Sequence, residues 1–240
     1  MNLAVDIGNT KIKMGLYKDS KLLWNYSVLQ ISPRIISGLL EKSPVERAIV
    51  SDVTGKKSSK SNAFHEIPRV IYLNGKTPLP FINKYKTPST LGSDRLALVA
   101  GALKYFPDKN VLIVSMGTCI TYDFITSRKE YLGGSISPGM EMRFESLNKF
   151  TARLPLVKPK QIKTLLGRTT DESILTGVIL GIVHEMEGFM STYRKLYPTL
   201  KIILTGGDAP LFAGRLKSSI FAVPELSLTG LNEILLYNSR

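Results

Sequence analysis

Cysteine and histidine are scarce in this 240-residue chain, which has one cysteine, Cys119, and two histidines, His65 and His184. A single cysteine excludes an intramolecular disulfide and any cysteine-based metal cluster. Two histidines argue against a histidine-rich metal site as well. The chain also lacks the patterns G-x-x-x-x-G-K-[ST] and G-x-G-x-x-G, so it carries neither the P-loop nor the dinucleotide-binding fingerprint.

Long apolar stretches are also missing from the sequence. The N-terminal apolar run ends at Asp6 and has neither the basic start nor the length of a signal peptide, so we expect a cytoplasmic protein. No apolar run approaches the roughly 20 residues that are needed to cross a membrane, so we expect no membrane partner.

The charge of the chain is strongly unbalanced. There are 32 Lys and Arg residues and 19 Asp and Glu residues, which gives a formal net charge of +13. The basic residues are scattered, and aromatic residues do not alternate with them as they do in a stacking platform, so we expect no nucleic-acid partner. A basic surface can instead gather small anionic substrates.

The first half of the chain begins with a strand, a turn and a second strand. An apolar run ends at residue 6, a turn follows at 6–11, and residues 12–16 alternate between apolar and other side chains with period two. Helices are predicted at 33–41 and 93–106. Ser93 is a suitable N-cap for the second of these helices.

The second half of the chain starts the same pattern again. A buried-type strand at 111–114 is followed by a turn at 116–118 and an alternating strand. Pro138 is expected to open a helix, since proline is favoured at the first helical position. A long helix is predicted from about 171 to 196. This internal duplication predicts two α/β lobes, 1–108 and 109–240, with a ligand cleft between them.

The first turn, D-I-G-N-T-K at 6–11, has the residue types of a phosphate site. Gly8 lets the backbone approach a phosphate, and consecutive turn N–H groups can form an anion-binding concavity. Thr10 can donate its hydroxyl, Lys11 or Lys13 can supply positive charge, and Asp6 can hold magnesium directly or through water. The alternative is an ordinary hairpin turn, in which Asn and Gly are common.

The second turn, Met116-Gly117-Thr118, repeats this arrangement at the start of the second half. A hairpin turn is again the alternative. The repetition favours phosphate binding, because one turn from each lobe can hold a polyphosphate from two sides.

The third motif, Leu91-Gly92-Ser93-Asp94-Arg95, lies at the start of a predicted helix. A helix N-terminus favours anions, and Arg95 can pair with a substrate carboxylate in a bidentate way. Asp94 can accept a proton from a substrate hydroxyl. The alternative is simple capping of the helix by Ser93 or Asp94.

The fourth motif, T-G-G-D at 205–208, follows a predicted strand and precedes a helix. Its glycines would allow a flat group such as adenine to lie on the backbone. The alternative is a strand-to-helix turn with Asp208 as the cap.

Taken in order, these motifs resemble those of a type III pantothenate kinase, within the acetate and sugar kinase, Hsp70 and actin superfamily. The matching stretches cover the chain from end to end. They are DIGNTKIK (6–13), GSDR (92–95), MGTCITYD (116–123), GGSISPGM (133–140), ARLP (152–155), GRTTDESILTG (167–177) and TGGD (205–208).

The resemblance implies a fold, a reaction and a set of nucleotide contacts. The fold would be α/β with duplicated ribonuclease H-like (actin-like) lobes, each a mixed sheet with flanking helices. The reaction would be ATP-dependent phosphorylation of pantothenate to 4'-phosphopantothenate, the first step of coenzyme A biosynthesis, with Mg²⁺ on Asp6. The implied ATP-binding residues are Asp6, Ile7, Gly8, Asn9, Thr10, Lys11, Ile12, Lys13, Thr118, Gly206 and Gly207.

The resemblance also implies a pantothenate site shared between the two subunits of a homodimer. Asp94 would be the general base, and residues Gly92, Ser93, Asp94 and Arg95 would hold pantothenate. Tyr85 matches an aromatic residue that lines the pantothenate pocket in the family. Thr170 matches a threonine that reaches pantothenate from the partner subunit.

One residue departs from the family pattern, which has an aspartate just before the second turn that helps to bind a monovalent cation, K⁺ or NH₄⁺. The residue at that position here is Ser115. Asp123 or a lysine could take over the role instead. Two other functions stay open: a kinase of the same superfamily for another small acid or sugar, and a non-catalytic accessory protein on this scaffold, for example in transcription.

Ser115 predicts a weaker dependence on potassium than is usual in the family. A carboxylate 4 Å from a cation contributes about 4 kcal/mol at an effective dielectric constant of about 20, and a neutral hydroxyl supplies much less. Turnover should therefore persist when potassium is replaced by a bulky organic cation. Complete loss of turnover in that buffer would contradict the prediction.

Overall fold

The computed structural model describes residues 1–55, 61–160, 162 and 165–239, and the account below refers to these residues. The strands are β1 (Asn2–Ile7), β2 (Ile12–Lys18), β3 (Lys21–Val28), β4 (Arg47–Asp52), β5 (Arg69–Tyr72), β6 (Ile82–Asn83), β7 (Val111–Met116), β8 (Cys119–Ile125), β9 (Glu130–Pro138), β10 (Lys201–Thr205) and β11 (Phe221–Ala222). The helices are α1 (Pro33–Leu40), α2 (Ser93–Tyr105), α3 (Met140–Lys149), α4 (Thr170–Leu196), α5 (Ala209–Ala213) and α6 (Leu226–Tyr237).

The strands form two mixed sheets with one repeated order. The first sheet has the order β3-β2-β1-β4-β5, with β1 antiparallel to β2 and parallel to β4. The second has the order β11-β10-β7-β8-β9-β6, in which β10 is parallel to both β7 and β11. Read from β9 to β11, the second sheet repeats the order of the first. The duplication and the mixed sheets predicted from the sequence are confirmed.

The chain divides into two compact units. The first comprises Met1–Lys109, Phe124–Gly133 and Glu225–Arg240, and the second comprises Asn110–Asp123 and Gly134–Pro224. The chain first passes from one unit to the other beside the predicted boundary at residue 108. The units differ from the predicted lobes, 1–108 and 109–240, in that α6 and the adjoining ends of β8 and β9 belong to the first unit.

Alternation along β1 gives its two faces different partners. Successive side chains of a strand point to opposite faces of the sheet. Leu3, Val5 and Ile7 lie in an apolar cluster together with Ile36 of α1. On the other face, the Asn2 side-chain amide donates to the Asn232 side-chain oxygen of α6 at 3.1 Å. This face also carries Asp6, so the first phosphate-type turn has α6 behind it.

Helices α2 and α6 pack against each other through two glycines, Gly101 and Gly230. A Cβ atom at position 230 would overlap the carbonyl oxygen of Ala97, and one at position 101 would overlap the carbonyl oxygen of Leu226. The two backbones are therefore in direct contact, and only glycine fits at these two positions. This contact fixes the position of α2, whose first turn carries Asp94.

Helix α4 is stabilised at its start by its N-cap residue, Thr169, and by a bond from Glu172 to the residue before the cap. The Thr169 hydroxyl accepts from the Glu172 backbone N–H at 3.2 Å, and the Glu172 carboxylate accepts from the Arg168 N–H at 2.7 Å. By length and composition alone α4 could cross a membrane, which the apolar runs did not indicate. Its buried residues lie on one face, as in a helix packed inside a protein: Ile174, Leu175, Val178, Ile179, Ile182, Met186 and Met190.

Two helix starts differ from the predictions. Ser93 is the first residue of α2 and not its N-cap, which is Gly92, because the Ser93 hydroxyl bonds to Ser51 instead. Pro138 ends β9 and does not open α3, whose N-cap is Gly139. The Gly139 N–H donates to the Thr118 carbonyl at 3.1 Å, and this bond extends the strand up to Pro138.

Candidate active site

The first turn connects β1 to β2 in the first unit. The Gly8 N–H donates to the Lys11 carbonyl at 3.1 Å, which closes the turn. Asn9, Thr10 and Lys11 are exposed, and Ile7 and Ile12 are buried at the strand ends that flank the turn. The turn therefore presents polar groups outwards from an apolar base, as a phosphate-binding turn requires.

Asp6 lies at the inner end of this turn, where it is partly buried. In the sheet register it is opposite Lys13 of β2 and Ser51 of β4. Burial raises the pKa of the Asp6 carboxyl, and the Ser227 hydroxyl, the Lys13 ammonium and the Ser51 hydroxyl oppose that rise. The ionised carboxylate is thus costly in the free protein, and a bound cation would favour it.

Magnesium would fit here as an ion with few protein ligands. Within the described ranges, no three His, Cys, Asp or Glu side chains form a group able to hold a metal ion. Mg²⁺ usually keeps several waters and is held by one or two carboxylates together with substrate phosphates. Asp6 beside an exposed phosphate-type turn matches that pattern.

The start of α2 presents Asp94 and Arg95. One oxygen of the Asp94 carboxylate accepts from the Arg95 backbone N–H at 2.9 Å. The same oxygen lies so close to Gly92 that a Cβ atom at that position would overlap it. Gly92 therefore leaves the space that the carboxylate occupies.

Arg95 is 5% exposed and lies over the ring of Tyr85, with its guanidinium carbon 5.6 Å from the ring centre. Tyr85 stacks on Tyr131, with ring centres 6.2 Å apart and planes inclined by 15°. Gly133, at φ +109°, lets the Tyr85 ring approach the backbone, since a Cβ there would lie 3.1 Å from the ring. The structure thus brings together two of the predicted substrate residues, Tyr85 and Arg95, as a cation on an aromatic face.

The second turn connects β7 to β8 in the second unit. The Gly117 N–H donates to the Cys119 carbonyl at 3.0 Å, and the Thr118 side chain is exposed. Ser115, the residue at the expected aspartate position, is partly buried and is opposite Thr205 of β10 in the parallel register. This turn carries no charged side chain of its own.

The glycines after β10 lie beside the end of β7. Gly206 has φ +100°, and a Cβ atom there would overlap the Met116 backbone. Gly207 is exposed and has open space around it. Burial, with a smaller contribution from the Glu141 carboxylate, raises the pKa of the neighbouring Asp208. An uncovered backbone at Gly207 is suited to a flat ligand.

Thr170 is exposed at the start of α4 and lines a cavity of about 520 Å³ in the second unit. The cavity is lined by Arg143, Ser146, Leu147, Leu154, Thr170, Ser173, Ile174, Gly177 and Val178. Arg143 is held in place, since its guanidinium bonds the Glu185 carboxylate and the Pro138 carbonyl.

The predicted site residues fall into two groups. The first unit contains the first turn, Tyr85 and the start of α2, and the second unit contains Ser115, Thr118, Thr170 and the two glycines after β10. Within the first unit, the start of α2 is bonded to β4, because the hydroxyls of Ser51 and Ser93 are 2.9 Å apart, and Ser51 is opposite Asp6 of the first turn.

Sequence reasoning missed three residues around the predicted ones. Ser51 and Ser227 face Asp6, and Gly133 makes room for Tyr85. A serine inside the apolar strand A-I-V-S is a weak signal for Ser51. Ser227 lies at the other end of the chain, so its proximity to Asp6 has no local signal.

Comparison with known proteins identifies the family of the chain. The model of the type III pantothenate kinase family matches residues 2–192. The type III pantothenate kinase of Christiangramia forsetii is 46% identical over 240 residues, which cover 99% of each chain, and that of Cytophaga hutchinsonii is 42% identical over 238 residues, which cover 99% of this chain and all of the other. A glucokinase from an Antarctic psychrotroph has the same sugar kinase and actin-like fold, with a TM-score of 0.54 at 12% identity over 99% of this chain and 98% of its own.

The family model covers most of the chain, and these two relatives are 46% and 42% identical to it over nearly its full length. The chain belongs to the type III pantothenate kinase family.

Proposed function

We propose that this chain transfers the γ-phosphate of ATP to the primary hydroxyl of pantothenate, which gives 4'-phosphopantothenate in coenzyme A biosynthesis. The observation that carries the proposal is the meeting of two motifs in the first unit. Asp6 is opposite Ser51, and the Ser51 hydroxyl is 2.9 Å from that of Ser93, the residue before Asp94. A phosphate-type turn and a potential proton acceptor therefore lie at one end of the same sheet.

The nucleotide would be held mostly by backbone and small polar side chains. The first turn, with Lys11 and Lys13, would bind the phosphates, Thr118 would add a contact, and Gly206 with Gly207 would accept the adenosine. Magnesium, held at Asp6, would neutralise phosphate charge during transfer. A monovalent cation near Ser115 would contribute less than it would near a carboxylate.

Pantothenate would lie against the start of α2. Arg95, buried over Tyr85, would pair with its carboxylate, and the small residues Gly92 and Ser93 would let the substrate approach. Asp94 would orient the attacking hydroxyl and take its proton late, since phosphoryl transfer has a loose transition state.

The assembly that fits these residues is a cytoplasmic homodimer that shares its active sites. Thr170 supports this part of the proposal, since it is exposed and borders a cavity of about 520 Å³ in the second unit. The proposal includes neither nucleic acid nor membrane as a partner.

Asp94→Asn should lower turnover by about 10²–10⁴-fold, because an amide cannot take the proton, and should leave ATP binding nearly unchanged. The measurement is ADP release by the purified protein with ATP, magnesium and pantothenate, together with nucleotide binding by calorimetry. Asp108→Asn, an equal charge change at an exposed loop residue, should keep wild-type turnover. Unchanged turnover in Asp94→Asn would exclude the base role, and a wild type without pantothenate-dependent ADP release would refute the function.

Gly92→Ala should displace the Asp94 carboxylate and leave the fold intact. The added Cβ overlaps a carboxylate oxygen at the end of a flexible side chain, and Gly92 has an ordinary φ of −60°. We expect turnover to fall at least about tenfold, since small misplacements of a reacting group are costly. The unfolding midpoint should stay within about 2 °C of the wild-type value.

Gly38→Ala is the matched control for this variant, because a Cβ at position 38 meets no atom within 4 Å. It should keep full turnover. If Gly92→Ala retained wild-type turnover, the carboxylate position seen here would not be the active one.

Mixing two inactive variants tests the shared site. Asp94→Asn disables the base, and Thr170→Glu places a like charge where pantothenate would meet the partner subunit. If both residues serve each site from different subunits, a mixed dimer has one intact site, and random exchange of subunits restores about a quarter of wild-type turnover. A mixture that stays as inactive as its components would contradict the shared site, and sedimentation would show whether dimers form.

A further inference from the structure

Two serine hydroxyls are buried against each other between β4 and α2. Ser51 is fully buried and Ser93 is 8% exposed, and their hydroxyl oxygens are 2.9 Å apart. The two residues before Ser51 in β4, Ile49 and Val50, are apolar and buried, and Asp52 follows it at the end of the strand. A hydroxyl in such a place is costly unless it is hydrogen-bonded, so the position of Ser51 depends on its polar partners.

Ser51 has a second polar neighbour on the other side. It is opposite Asp6 in the parallel register of β1 and β4, and its hydroxyl faces the Asp6 carboxylate. An ionised carboxylate can only accept hydrogen bonds. Either serine can donate in the Ser51–Ser93 bond, so the Ser51 hydroxyl can turn its hydrogen towards an ionised Asp6 while it accepts from Ser93.

The first turn of α2 is held by Arg95, which packs over Tyr85, and by the Ser93 hydroxyl, which bonds it to the sheet. Its N-cap, Gly92, has no side chain with which to cap the helix. The Leu96 N–H bonds the Gly92 carbonyl at 3.3 Å, which closes the turn but does not attach it to the sheet. The Ser93 hydroxyl supplies that attachment, one residue before Asp94.

We propose that Ser51 is a positioning residue. Through Ser93 it fixes the start of α2, and with it Asp94, relative to Asp6 at the turn between β1 and β2. This inference rests on the proposed function and deepens it. Ser51 would touch neither ATP nor pantothenate. Its effect would be on the alignment of base and phosphate, where a displacement of 1 Å can cost about 10²-fold in rate.

Turnover of Ser51→Ala measures the size of the effect. We expect kcat to fall about tenfold to hundredfold, because the first turn of α2 loses its attachment to the sheet. KM for ATP and for pantothenate should change much less than kcat. A wild-type kcat in this variant would overturn the proposal.

The same substitution in an Asp94→Asn background tests whether Ser51 acts through Asp94. Residues that act as one unit are strongly non-additive, so Ser51→Ala should lower kcat no further once Asp94 is gone. Ser227→Ala is the comparison, since that serine also faces Asp6 but lies on α6. Its effect should add to that of Asp94→Asn. An additive effect of Ser51→Ala would mean that Ser51 acts elsewhere, and would overturn the proposal.

The double variant Ser51→Ala/Ser93→Ala separates positioning from stability. Removing one hydroxyl leaves the other buried without its partner, whereas removing both can be nearly neutral. The thermal unfolding midpoint of the double variant should therefore be closer to the wild-type value than the midpoint of Ser51→Ala. The kcat of the double variant should stay low. Recovery of kcat together with stability would show a purely structural pair and overturn the proposal.

Hydrogen exchange gives a readout that needs no turnover. In Ser51→Ala, amides in the first turn of α2 should exchange faster, and amides in its last turn should keep their protection. If the amides in the first turn of α2 exchanged at the same rate in the variant and the wild type, the proposal would be overturned, even in a protein without kinase activity. A wild type that lacks pantothenate-dependent turnover would refute the proposed function alone.

Discussion

The backbone contact between α2 and α6 is the constraint on which the first unit depends. Gly101 and Gly230 each occupy a position where a Cβ atom would overlap the backbone of the facing helix. Because the helices meet there, the last helix of the chain lies against the first strand, and Ser227 reaches Asp6. The same contact fixes α2, so the start of that helix meets β4 at Ser51. The helix contact thus brings Ser227 to Asp6, and the pairing of β1 with β4 places Ser51 on the other side of it.

The environment of Asp6 disfavours the ionised form of its carboxyl group. Burial raises the pKa of this carboxyl, and two hydroxyls with one lysine only partly oppose the rise. For a carboxyl with a raised pKa, the ionised form is less stable in the folded protein than in the unfolded chain. A bound cation reverses that balance.

Local patterns predicted much of this structure, and long-range contacts account for what they missed. Period-two alternation located β2 and β8, and the repeated strand-turn-strand unit predicted two sheets of one strand order. The helix starts were less reliable. Ser93 was expected as an N-cap, but its hydroxyl bonds to Ser51, a residue 42 positions earlier in the chain. Pro138 was expected to open a helix, but hydrogen bonding at the neighbouring Gly139 extends the strand.

The candidate site shows the same division between local and distant information. The turns, Asp94 and Arg95 could be found as motifs, because each is a short stretch with its own chemistry. The return of α6 to the first unit could not, since nothing near Leu226 in the sequence refers to β1. The pairing of Tyr85 with Gly133 has the same cause, because it joins a loop to a strand that begins more than forty residues later.

The two glycine-threonine turns have diverged in how they could bind phosphate. The first keeps a carboxylate and a lysine at its base, Asp6 opposite Lys13. The second has Ser115 where a charge is usual, and is held by backbone contacts with Gly139 and Gly206. Backbone N–H groups bind anions without the help of a side-chain charge, whereas a metal needs oxygen ligands. In the proposed function, the metal would therefore bind at the first turn, and the second turn would hold the nucleotide through its backbone.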